Sequence, residues 1–159
     1  MVTRPLLFLH RWMWVLLLTC ASVAASAADF SFKDLQGKTH RLADYKGKWV
    51  LINFWATWCP PCLHEIPELL SLQSSRKDIQ VIGLAMDSGT AKVVAAFAKK
   101  QGITYPVVMS DRKIQSQIGE IDALPTSYLY SPQGKQVSYK VGEITRESIE
   151  TYIKNYKPK

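Results

Sequence analysis

The strongest constraint on this chain is the join between an apolar run and a pair of cysteines. Lys48 to Phe54 is mostly apolar and of strand length, as a central strand buried on both faces would be. It continues through Trp55-Ala56-Thr57-Trp58 into Cys59-Pro60-Pro61-Cys62. From Pro60 to about Arg76, Ile66, Leu69 and Leu70 keep helical spacing, and proline suits a first helical turn. A cysteine at the start of such a helix meets free amides and the positive end of the helix dipole, which stabilise a thiolate. Only the thiolate attacks a disulfide. Cys59 is therefore read as the exposed nucleophile. Cys62, one turn further in, is read as the thiol that resolves the mixed disulfide.

Other uses of two cysteines fit less well. Two residues of spacing cross-link too little chain to stabilise a fold. A disulfide-stapled scaffold needs several spaced cysteines. A zinc site needs two further ligands, and outside the leader only His40 and His64 are histidines, with no partner for His64 at ligand spacing. No metal and no cofactor are expected beyond a redox-active Cys59–Cys62 disulfide.

Residues 1–28 read as a targeting segment. Arg4 and Arg11 make a basic start with no acid, an apolar stretch runs from Trp12 to about Ala25, and Ala25-Ser26-Ala27 offers a small-x-small cleavage pattern. The expected location is the periplasm. Two other readings stay open. A retained anchor helix would lie at the lower limit of spanning length. Lipidation at Cys20 within Leu17-Leu18-Thr19-Cys20 would place an unusually large Thr19 before the cysteine. The formal charge is +7; without Arg4 and Arg11, 18 basic residues face 13 acidic ones and it becomes +5. The lysines are scattered with no interleaved aromatics, so no nucleic-acid partner is expected.

The rest, residues 29–159, reads as one domain. Phe30–Phe32 and Thr39–Arg41 suit a hairpin about Gln36-Gly37. Ile79–Ala85 is a second apolar strand, Thr90–Lys100 an alanine-rich helix, Val107–Met109 a short strand and Lys113–Ile118 a short helix. Thr126–Tyr130 and Lys135–Val141 flank the turn Ser131-Pro132-Gln133-Gly134, and Arg146–Tyr156 is a closing helix capped by Thr145. Alternating strands and helices with a terminal hairpin predict an α/β fold: a mixed central sheet flanked by helices, with an N-terminal β-hairpin extension.

The motifs Asn53-Phe54-Trp55-Ala56-Thr57-Trp58-Cys59-Pro60-Pro61-Cys62, Glu65-Ile66-Pro67 and Ala123-Leu124-Pro125-Thr126 carry a resemblance. Gly47-Lys48 and Ser131-Pro132-Gln133-Gly134-Lys135 add to it. From residue 30 onward the chain resembles the TlpA/ResA branch of the thioredoxin superfamily, bacterial extracytoplasmic thiol–disulfide oxidoreductases. The resemblance implies a thioredoxin fold and a protein disulfide reductase. It further implies that Pro125 is a cis-proline facing the dithiol, with Leu124 and Pro125 contacting substrate, and that Trp58 belongs to the contact rim. Glu65 shares a helix face with Cys62 and is read as its proton acceptor, with a pKa raised by burial. Ordinary thioredoxins carry an acid where Asn53 stands, so any base must come from elsewhere. Glu68 and His64 are read as surface positions, and Pro67, inside the predicted helix, is expected to kink it after its active-site turn.

The implied partners are disulfide-containing exported proteins, among them apocytochromes c, and a membrane electron-donor protein; a monomer is expected. Three rivals remain. One is a disulfide-forming oxidant of the same fold. Another is a peroxiredoxin, which would carry Thr or Ser where Ala56 stands. The third is a copper carrier using Cys59 and Cys62 with Met86 or Met109.

Overall fold

A computed structural model describes residues 29–158. The leader, with its cleavage site and Cys20, lies outside the described residues. Seven strands and four α-helices follow in the order β1 (Ser31–Lys33), β2 (Thr39–Arg41), β3 (Trp49–Trp55), α1 (Pro60–Ser75), β4 (Ile79–Ala85), α2 (Ala91–Lys100), β5 (Val107–Met109), α3 (Arg112–Gln115), β6 (Thr126–Tyr130), β7 (Gln136–Val141) and α4 (Arg146–Asn155).

All seven residues of β3 are buried, as its apolar sequence requires of a strand covered on both faces. It lies at the centre of a five-stranded sheet of order β5-β4-β3-β6-β7. β4 pairs with β3 in parallel and β6 pairs antiparallel, which sets Asn53 beside Gly83 on one side and Ser127 on the other. Strand alternation sends Leu51, Trp55, Val81 and Ala85 into a core shared with Leu69, Leu72, Val94 and Ile149 of α1, α2 and α4. Val50, Ile52, Phe54, Ile82 and Leu84 face the other way, against Phe30, Phe32 and Ile118. The N-terminal hairpin β1–β2 therefore covers the sheet face opposite α1.

Element types match the sequence reading, and the ends differ for local reasons. α1 continues through Pro67 to Ser75 without interruption. α3 starts at Arg112 because the Asp111 side chain accepts the Ile114 N–H at 2.8 Å, and it passes into tighter turns after Gln115. A 3₁₀ turn over Leu42–Tyr45, absent from the sequence reading, links β2 to β3. Thr145 caps α4 as expected, with Ser148 completing the reciprocal pair.

Candidate active site

The site lies at the carboxyl end of β3, where the chain turns into α1. Cys59 is the residue capping that helix and is joined to Cys62 by a disulfide, with their Cα atoms 5.3 Å apart. Pro60 and Pro61 occupy the first helical positions and have no N–H. The amide that reaches Cys59 Sγ is that of Cys62, at 3.3 Å.

The sequence predicts an exposed Cys59, but in the disulfide form its relative exposure is 4%, against 0% for Cys62. The cause is the packing of both sulfurs into the α1-side core, with Leu124 against that cluster. Cys59 still lines an open cleft of about 420 Å³; Cys62 does not. The difference between the two sulfurs is one of access to this cleft.

Leu124–Pro125 is a cis peptide bond, as the resemblance implies, and Leu124 forms part of the cleft wall. Trp58 is 61% exposed, and its indole Nε1–H donates to the Asp87 carbonyl at 2.9 Å. Trp55 is core. Met86 reaches the same cleft, whereas Met109 packs against the core. Among the described residues no three His, Cys, Asp or Glu side chains are grouped to hold a metal.

One turn beyond Cys62, Glu65 is buried, at 1% exposure. The Asn53 side-chain amide donates to Glu65 Oε1 at 2.6 Å and to Ser127 Oγ at 3.1 Å. The Ile144 backbone N–H donates to Glu65 Oε2 at 3.2 Å. Burial pushes the carboxyl up to about 7, against the pull of those two donors, and the nearby Glu143 raises it further. Asn53 is thus a satisfied buried amide that also orients the carboxylate.

Other positions separate from this core. His64 is exposed and lies 3.7 Å from Glu143. Glu68, read as surface, also accepts the Arg146 N–H at 2.9 Å at the start of α4, where a carboxylate satisfies a free helical amide. Sequence reasoning missed Ile144, Asp87 and Asp122 as site neighbours. Asp87 had one usable signal: it follows β4, the parallel neighbour of β3, so it must emerge beside the cysteine loop.

The AhpC/TSA family model matches residues 23–139. The chain belongs to this family. It is 37% identical over 141 residues to the thiol-disulfide oxidoreductase ResA of Geobacillus kaustophilus (strain HTA426), covering 88% of this chain and 81% of that protein. The thiol:disulfide interchange protein of the thioredoxin family from Chlorobium tepidum TLS superposes with a TM-score of 0.71 at 31% identity, over 79% of this chain and 91% of that one. The pneumococcal exposed lipoprotein thioredoxin of Streptococcus pneumoniae strain TIGR4 gives 0.69 at 28% identity, over 80% and 99%. A ResA-like thiol–disulfide oxidoreductase with a thioredoxin fold accounts for both the geometry and these relatives. The sulfur pair of Cys59 and Cys62 is the reactive element on hand.

Proposed function

We propose that this protein is an extracytoplasmic reductant: its Cys-Pro-Pro-Cys dithiol reduces disulfides in exported client proteins, cytochrome c precursors among them. A membrane electron-donor protein then restores the dithiol. The observation that carries the direction is how few donors surround Cys59 Sγ. With Pro60 and Pro61 in the first turn, the Cys62 amide is, among the described residues, the one backbone donor in contact with it. Strong oxidants of this chemistry are strong because their reduced form is stabilised. Here the Cys59 thiolate receives little such help, so the disulfide is comparatively stable and the dithiol donates electrons readily.

The cycle starts with the Cys59 thiolate attacking one client sulfur through the cleft. A Cys59–client bond forms, the client S–S bond breaks, and the leaving client thiolate takes a proton. Glu65, with its carboxyl near 7, accepts the Cys62 proton. The Cys62 thiolate then attacks Cys59 Sγ, and the second client sulfur departs as a thiolate. The client gains two electrons, and the protein is left as the Cys59–Cys62 disulfide. Trp58 and Leu124, which line the cleft, form the contact surface for the client strand; Pro125, the next residue, is itself buried and does not line the cleft. The apolar leader and the likeness to an exposed lipoprotein support the extracytoplasmic location. The protein acts as a monomer.

Equilibration in glutathione buffers tests the direction. The expected potential lies near the thioredoxin value of about −270 mV rather than the strong-oxidant value of about −120 mV. That gap corresponds to roughly 7 kcal/mol for two electrons. Pro61→His should raise the potential by restoring an N–H and adding a partly cationic ring beside Cys59. A wild-type value above about −170 mV makes the protein a disulfide donor and overturns the reading.

A further inference from the structure

The cleft that admits a client to Cys59 has a charge unlike that of the molecule. The chain as a whole is basic, with a formal charge of +7. Among the described residues, the cleft is lined by two carboxylates, Asp87 and Asp122, and by no lysine, arginine or histidine. They come from separate segments, the loop after β4 and the stretch before β6. The ring of Trp58 stands at 61% exposure, tied through its indole N–H to the Asp87 carbonyl. Asp87 itself has φ +43°, a left-handed conformation that few side chains other than Asn and Asp adopt readily. On the other wall, the Tyr139 hydroxyl donates to Asp122 at 3.4 Å. The Tyr128 phenol records the negative field there: burial raises it first, and Tyr139, Glu120 and Asp122 add to the rise, to about 12. Between the walls, Met86, Ile121 and Leu124 supply apolar surface.

This combination matches a long cationic side chain. Its methylene stem lies along apolar atoms, its charged head reaches carboxylates, and an indole face attracts the same cation. We propose that the cleft selects client segments carrying lysine or arginine beside the cysteine that Cys59 attacks. Asp87, Asp122 and Trp58 then determine specificity, while Cys59 and Cys62 carry the exchange. The proposal rests on the disulfide-reductase reading and adds the chemistry of the client to it.

The test uses three synthetic peptides, each with one intramolecular Cys-Ser-Ser-Cys disulfide, flanked by two lysines, two serines or two glutamates. Second-order rates of reduction by the reduced protein are divided by the rates with dithiothreitol on the same peptide. That ratio removes the effect of flanking charge on the sulfurs themselves. At low salt the normalised rate should favour the lysine peptide over the glutamate peptide by about tenfold, as two exposed ion pairs and a cation–π contact together supply. The preference should shrink to about twofold in 0.5 M salt, where the Debye length falls to about 4 Å. Asp87→Asn with Asp122→Asn keeps the left-handed backbone and the Tyr139 contact while removing both charges, and should reduce the tenfold preference to below about threefold. Equal normalised rates for the three peptides overturn charge selection and leave the reductase reading standing. A preference that persists in the double variant overturns the assignment to these carboxylates. Failure to reduce any peptide overturns the reductase reading, and this proposal with it.

Discussion

Replacing Glu65 with Gln should make this protein more stable relative to wild type as pH rises, while slowing its chemistry. Burial raises the Glu65 carboxyl from 4.5 to about 7. The folded state therefore holds a proton that the unfolded chain releases, and stability falls with rising pH across the window between those values. At about 1.4 kcal/mol per pH unit, the raised pKa costs the native state about 3 kcal/mol at pH 8, where the buried carboxylate is ionised, and about 1 kcal/mol at pH 5, where it keeps a proton that the unfolded chain releases. Glutamine pays neither cost. Its NH₂ group does meet the Ile144 N–H, a donor facing a donor. That mismatch is the same at every pH, so it drops out of the comparison across pH. The stability difference between Glu65→Gln and wild type should move by roughly 2–3 kcal/mol in favour of Gln between pH 5 and pH 8. Urea unfolding of the oxidised proteins at several pH values measures it. A difference that stays flat, or moves towards wild type, refutes the argument that Glu65 is a desolvated acid. The same variant should exchange thiols more slowly and lose the inflection near pH 7 from its rate profile. Together these outcomes describe a residue kept for function at the expense of stability.

Two further outcomes follow from the packing. In the reduced protein, iodoacetamide at neutral pH should label Cys59 well before Cys62, because Cys59 lines the cleft; mass spectrometry of partly labelled protein decides, and faster labelling of Cys62 reverses the assigned roles. Gly83→Ala should destabilise the fold by about 1–3 kcal/mol in urea, since the added Cβ would sit 2.8 Å from Trp55 Nε1 and 3.1 Å from Tyr105 Cε2. An unchanged unfolding midpoint would show that Trp55 and Tyr105 are free to shift.

Much of this molecule was legible in its sequence because local patterns carried the information. Apolar runs of strand length marked β3 and β4, and helical spacing marked α1. The Cys59-Pro60-Pro61-Cys62 motif placed the chemistry at a helix start, and Thr145 announced α4. The 3₁₀ turn at Leu42–Tyr45 left no such pattern. Neither did the capping of α4 by Glu68, since the two partners are 78 residues apart in the chain.

What the sequence by itself determined is therefore the order of elements, the identity of the reactive sulfurs and the scarcity of donors about Cys59, because each depends on neighbours along the chain. Tertiary structure alone decided the burial of Cys59, the environment of Glu65 and the sign of charge in the cleft. Glu65 is pushed up to about 7 because a strand, a helix and the loop before α4 converge on it and exclude water, even though Asn53 and Ile144 donate to its carboxylate. Asp87 and Asp122 face one cleft because parallel pairing brings the end of β4 beside the end of β3, while antiparallel pairing brings the start of β6 to the same edge. Burial and electrostatic potential are sums over all neighbours in space, and most of those neighbours are remote in the chain.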